Sequence, residues 1–255
     1  MNHPVTVTYV GGPTVIFEIG GLRIMTDPTL DPPGDFPAGP GDIIQKTTGP
    51  AVTDIGKIDM VLLSHDQHAD NLDTAGRILV EKVALTISTK SAAQRLKGSV
   101  TGLLSWEQFK VTTQSGEELV ITATPARHGP AHSEKIVGEV IGFVLSVKGA
   151  TPLEIYLTGD TVFYAGIELV AERFKPQYVF IFAGAATPRI PISLTMDTND
   201  AIDTAAAFPD ATIIPVHFEG WSHYTETGKM LADSFGALGL GDRLKILEPG
   251  VQTIL

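Results

Sequence analysis

Apolar and polar positions alternate along this chain in short bursts, most of which stop abruptly at glycine, aspartate or histidine. Residues 5–10 alternate with period two before the turn Gly11-Gly12-Pro13, and residues 14–19 and 22–26 read as two further strands joined by Gly20-Gly21. From residue 29 to 50 the periodicity fades among prolines, glycines and aspartates, which predicts a long loop, either functional or a surface excursion. Residues 58–63 form a continuous apolar run, the pattern of a buried strand, and residues 74–82 take up helical spacing. A strand over 83–88 and a short helix over 90–96 follow. Residues 109–113 and 118–123 read as a hairpin through Gln114-Ser115-Gly116.

Residues 124–135 are polar, and 136–147 form another strand region. A short strand over 153–157 precedes a helix over 167–174 and a strand over 178–182 that ends in the small residues 183–186. Asp197 is placed to cap an alanine-rich helix over 198–207. Residues 211–216 are a strand, 224–238 hold a helix, and 244–247 with 251–254 read as a closing hairpin through Pro249-Gly250. No boundary divides the chain, so residues 1–255 are expected to form a single domain.

Chemistry enters where the apolar bursts end. The run 58–63 leads into Ser64-His65-Asp66-Gln67-His68-Ala69-Asp70-Asn71, a concentration of imidazole and carboxylate, the ligand types of zinc and its neighbours. Three later strands end at Arg127-His128-Gly129, Thr158-Gly159-Asp160 and Pro215-Val216-His217. Taken singly each signal is weak. An aspartate after Thr-Gly is more often a turn residue, a histidine after a strand more often structural, and Asp70 or Asn71 could cap the helix that follows. In this order they point to one site.

The order resembles the metallo-β-lactamase superfamily, whose signature is His-x-His-x-Asp-His after a strand, then His, Asp and His. The resemblance runs from Val5 to Leu255, and the ending Ile214-Pro215-Val216-His217-Phe218-Glu219-Gly220-Trp221 looks most like the branch of the L-ascorbate-6-phosphate lactonases. It implies an α/β fold, a four-layer αββα sandwich with metals at one edge between two sheets. The first motif departs from the pattern. The register that needs no gap puts Asp66 at the first histidine, His68 at the second, Asp70 at the aspartate and Asn71 at the third histidine. His65 then turns inward as a substitute ligand or sits behind the site. Starting instead at His65 leaves the spacing one residue too long.

The resemblance assigns roles. His68 and His128, with Asp66 or His65, would bind a first ion; Asp70 and His217, with Asn71, a second; Asp160 would bridge them. Asp70 and His223 are the candidate catalytic residues, His223 as an oxyanion donor or general acid. Asp27 is expected behind the metals, orienting a histidine. His132 reads as an exposed loop histidine, and Arg127 and Arg189 are the nearby cations for a phosphate. Asn71 and Asp66 in place of imidazoles shift preference towards oxygen-loving ions, so the cofactor is Zn²⁺ or Mn²⁺, with Mg²⁺ open, as one ion or two.

The implied activity is metal-dependent hydrolysis of an ester, lactone, amide or phosphodiester bond in a small molecule. A non-catalytic metal- or ligand-binding member of the fold and a nuclease are the alternatives. The formal net charge of −11 argues against nucleic acid as a partner. No apolar run reaches the ~18 residues of a membrane span. The absence of cysteine excludes disulfides and thiolate ligands and leans towards a reducing, cytoplasmic setting. A homo-oligomer stays open.

Overall fold

A computed structural model of the chain describes residues 5–39, 41–149, 152–188 and 191–255. Its first half builds one mixed sheet. Strands β1 (Thr6–Gly11), β2 (Thr14–Ile19) and β3 (Leu22–Thr26) form an antiparallel meander, with Gly20 and Gly21 both at positive φ in the turn. β6 (Met60–Leu62), β7 (Leu85–Thr89) and β8 (Val100–Leu103) then add in parallel beside β3. The second sheet carries β9 (Gln108–Thr112), β10 (Glu118–Pro125), β11 (Ile141–Lys148), β12 (Leu153–Leu157), β13 (Tyr178–Phe182) and β14 (Thr212–Val216), in consecutive order.

The period-two pattern decides which residues meet. Val15, Phe17 and Ile19 on one sheet and Ile121, Phe143, Ile155 and Phe180 on the other point into a shared core. Phe17 and Phe180 meet there edge to face, ring centroids 5.0 Å apart. The alternate residues face outward and are also covered. Ile16, Met25 and Val61 pack with Leu72 and Val80 near α1 (Thr74–Lys82), while α2 (Lys90–Arg95) lies against β7 and β8. On the far side Val144, Tyr156, Val179 and Ile213 pack under α4 (Ala165–Arg173), α5 (Thr198–Ala207) and α6 (Gly228–Ala237). The result is a four-layer αββα sandwich, as expected. The strands over 14–19, 22–26, 153–157 and 178–182 and the helices over 74–82 and 198–207 keep their predicted bounds, because periodicity and caps agree there. Asp73 caps α1 and Asp197 caps α5.

Three expectations need correction. The segment 29–50 is not all loop: β4 (Gly34–Gly39) and β5 (Asp42–Lys46) form a separate two-stranded hairpin. Pro37 sits within it because a two-stranded ribbon has free edges, where a missing N–H costs little. Residues 100–103 supply β8, which had no clear pattern. The end of the chain is not a hairpin. Leu244 bridges to Ile213 at the edge of the second sheet, whereas β15 (Gln252–Ile254) pairs with β1 in the first. The turn at Pro249-Gly250 therefore carries the chain from one sheet to the other, with Gly250 N donating to Tyr9 O. A short helix, α3 (Glu134–Val137), spans the end of the polar segment and the start of the region expected as strand, and β11 begins only at Ile141.

Candidate metal centre

Strand direction brings the four chemical segments together. β10 is antiparallel to β11, and β11 to β12, while β12, β13 and β14 are parallel; β10, β12 and β14 therefore all end at one edge of the second sheet. His128, Asp160 and His217 follow those ends, and β6 delivers residues 64–71 from the facing sheet. Close approach is built into the turns. Gly159, at φ +63, leaves no room for a side chain against Ile141 O and Ser64, and Asp160 follows it.

His65, His68, His128 and Asp160 each bring one ligating atom within 4.8 Å of the others, and Asp70, Asp160 and His217 form a second such group. Asp160 is common to both. These residues are buried apart from His68, which is half-buried at the cavity floor.

The hydrogen bonds define which nitrogens are bare. Leu194 O can only accept, so His128 Nδ1 carries the proton (2.8 Å) and its Nε2 is a lone pair. Ser64 Oγ donates to Asp27 Oδ1 (2.6 Å), so it accepts from His65 Nδ1 (2.9 Å), leaving His65 Nε2 bare as well. Both bare nitrogens face His68 Nδ1, at 2.9 and 3.1 Å. Asp160 Oδ2 lies 3.9 and 3.6 Å from the same two nitrogens. One proton cannot satisfy this many converging lone pairs, whereas a cation among them can. Three imidazoles and a carboxylate are a donor set that zinc accepts. At the second group both ring nitrogens of His217 are buried without a hydrogen-bond partner, and Nε2 lies 3.4 Å from Asp70 Oδ2 and 3.4 Å from Asp160 Oδ1.

Electrostatics prepares the same atoms. Burial, reinforced by neighbouring imidazoles, holds His65 well below the usual histidine range. His68 and His128 are pushed down to about 4, chiefly by burial. All three are thus neutral, the form that binds metal. Asp70, despite burial, is held well below the carboxylate range by His223 and His217. Asp160 is raised by burial against the pull of His217, and His217 is raised by Asp160 and Asp70 against its own burial.

Of the two first-ligand candidates, Asp66 and His65, the geometry places His65 at the cluster. Asp66 points away from the cluster and forms a bidentate ion pair with Arg95 of α2, while Arg77 Nη2 donates to its carbonyl at 2.5 Å. His65 turns inward instead, and the extra residue before His68 is taken up by the turn between them. Asn71 donates its Nδ2 to Asp160 Oδ1 at 3.1 Å; its buried Oδ1 has no hydrogen-bond partner. Asp27 does lie behind the cluster, but it reaches His65 only through the Ser64 hydroxyl. Its carboxyl is raised to about 8 by burial, with the Ser64 bonds opposing.

His223 Nε2 donates to Asp70 Oδ2 at 2.9 Å, and Tyr224 OH reaches the same oxygen at 3.3 Å. Neither Ser64 nor Tyr224 was singled out from sequence. Each is adjacent in the chain to a candidate histidine, the only available signal. Leu194 O, 66 residues from His128, had none. His132 is exposed, at φ +77, on the wall of a cavity of about 670 Å³ that opens onto the cluster. The β4–β5 hairpin forms another wall, anchored by buried Lys46, whose Nζ donates to Thr29 O and to Asp73 Oδ2. Arg127 stacks over Tyr164 and is not part of the lining, and Arg189 lies outside the described residues.

Residues 22–218 match the family described as the beta-lactamase superfamily domain. The chain is similar to a UPF0173 metal-dependent hydrolase of Pelotomaculum thermopropionicum, 27% identical over 96% of this chain and 97% of that one. It is also similar to one of Pyrococcus furiosus, 26% identical over 85% and 86%. Among solved structures, an isothiocyanate hydrolase from Delia radicum gut bacteria superposes with a TM-score of 0.81 at 23% identity, covering 98% of both chains. A protein of Veillonella parvula described as a possible metal-dependent hydrolase superposes with a TM-score of 0.84 at 19% identity, covering 99% of this chain and 100% of that one.

Proposed function

The chain belongs to the beta-lactamase superfamily, and from that premise we propose that it is a metal-dependent hydrolase acting on an electrophilic carbon of a small molecule. The observation that supports it most is the convergence of the bare Nε2 atoms of His65 and His128 on His68 Nδ1 beside Asp160. Those four residues would hold one ion, with zinc favoured by their nitrogen content. Asp70, Asp160 and His217 would hold a second, a set richer in oxygen that suits Mn²⁺ as well as Zn²⁺. A divalent ion held there would supply a water of lowered pKa and would polarise the oxygen or sulfur of the group under attack.

The chain's own residues do the rest. Ser64, with Asp27 behind it, keeps the His65 proton on Nδ1. Asn71 steadies Asp160. His223 lines the cavity beside Asp70, placed to pass a proton to a departing group or to hydrogen-bond a developing anion. The similar isothiocyanate hydrolase makes the carbon of an isothiocyanate a candidate target next to the carbonyl carbon of an ester, lactone or amide.

The test is metal analysis joined to a panel of esters, lactones, amides, phosphodiesters and isothiocyanates, with Zn²⁺ and Mn²⁺ supplied. Turnover on at least one substrate, abolished in His68→Ala and His128→Ala, is expected. Tight metal binding with no turnover across the panel would instead mark a binding protein built on this fold.

A further inference from the structure

We infer that the ligand of the central cavity is a molecule with an apolar tail and no anionic group, oriented with its reactive group at the histidine–aspartate end. The placement of the reactive group rests on the hydrolase reading; the class of ligand does not.

The cavity has a polar end and an apolar body. His68, Asp70, His128, Asp160 and His223 occupy one end. The body is walled by Ile44 of the β4–β5 hairpin together with Ile136, Val137, Ile192 and Leu194. Among the described residues no lysine or arginine lines it. Arg127 is engaged by Tyr164 and Gly129 O, Arg95 by Asp66, and Lys46 by Asp73. A carboxylate or phosphate on the ligand's tail would therefore leave water for largely apolar walls that, among the described residues, offer it no lysine or arginine, an unfavourable transfer.

Polar groups on the body are few: His132, Ser133 and Gln67. Ser133 Oγ is committed to His128 O and Pro130 O, and Gln67 Oε1 already accepts from Asp66 N. At the mouth Ile136 is 78% exposed and Ile192 38% exposed. Two large aliphatic side chains left open to solvent at the rim of an apolar cavity extend its greasy wall outward, so a tail that reaches the mouth still finds apolar contact. A volume of about 670 Å³ holds a ligand of drug-like size.

The test compares butyranilide with its para-sulfonate by calorimetry on the zinc-loaded protein. The two share one amide and differ in the charge on the tail. Butyranilide is expected to bind at least about tenfold more tightly, the penalty of an unpaired buried charge. Ile136→Asp, at an exposed position, is expected to weaken butyranilide several-fold in a protein whose urea midpoint stays near that of the parent, and Ile192→Asp provides a second reading from a separate segment. Equal or tighter binding of the sulfonate, binding of neither probe, or indifference of butyranilide to both substitutions would overturn the inference. Preference for the neutral probe in a protein that hydrolyses nothing would defeat the hydrolase reading alone. Preference for the sulfonate in a protein with metal-dependent turnover would defeat this inference alone.

Discussion

Replacing Ser64 by alanine tests the reasoning about bare nitrogens most directly. Its hydroxyl does two things at once: it donates to Asp27 Oδ1 at 2.6 Å and accepts from His65 Nδ1 at 2.9 Å. Asp27 keeps a second bond, from Ser64 N at 2.9 Å, so the carboxyl is not stranded. The His65 ring is fully buried, and the hydroxyl is the acceptor that its Nδ1 proton uses. Stranding a buried donor costs about 1–3 kcal/mol, which a urea titration of the metal-free protein would detect as a lower midpoint at unchanged slope. The ring can escape by moving its proton to Nε2, but that removes the lone pair aimed at His68 and Asp160. Either way zinc binding weakens, by about 10–100-fold on the usual scale for a lost ligand-orienting bond. Competition against a chelator of known affinity measures it. Asp27→Asn retains an Oδ1 acceptor for the hydroxyl and is expected to lose less. A folded Ser64→Ala protein with zinc affinity within about twofold of the parent would refute the idea that this chain of bonds sets the His65 tautomer.

The register of the first motif is open to the same measurement. Asp66→Ala is expected to leave zinc stoichiometry unchanged and to cost about 1 kcal/mol or less, because its partner Arg95 is 45% exposed and rehydrates; His65→Ala is expected to lose metal. The opposite ranking would restore Asp66 as the ligand. Stability of the metal-free protein should depend on pH. His68 and His128 stay neutral when folded down to about 4 but take up protons near 6.5 when unfolded, so their contribution is lost as pH falls through that window, by up to about 1.4 kcal/mol per unit for each. Asp27 works the other way: raised from 3.8 to about 8, it contributes at low pH and that contribution is lost as pH rises. Asp27→Asn should therefore steepen the acid loss, and urea midpoints that stay flat in both proteins would contradict the assignment.

Much of the architecture could be read directly from the chain, and the reason is local. Apolar runs in residues 14–19 and 153–157 specify strands, and Asp197 marks a helix start by accepting from the backbone N–H of Asp200; the helix over 74–82 is capped by Asp73 instead of Asp70 or Asn71. The candidate residues His68, His128, Asp160 and His217 were visible for a related reason: each terminates an apolar burst, where a polar side chain stands out. Other features had no such local signature. The β4–β5 hairpin is held by contacts with distant parts of the chain, including Lys46 with Asp73 and Phe36 with Trp221, so its own pattern is weak. The destination of the last strand depends on which sheet edge is free.

The choice between His65 and Asp66 shows the division most clearly. Adjacent residues point in different directions, and sequence spacing alone cannot say which of them turns inward. Arg95, 29 residues on, offers Asp66 a charge partner outside the site, while Ser64 and Asp27 offer His65 a polar seat within it. Residue types and their order along the chain determined that a metal-binding cluster would form; burial and partners brought from distant segments decided which atoms compose it. A ligand is defined by the direction of a lone pair, and that direction exists only once the chain is packed.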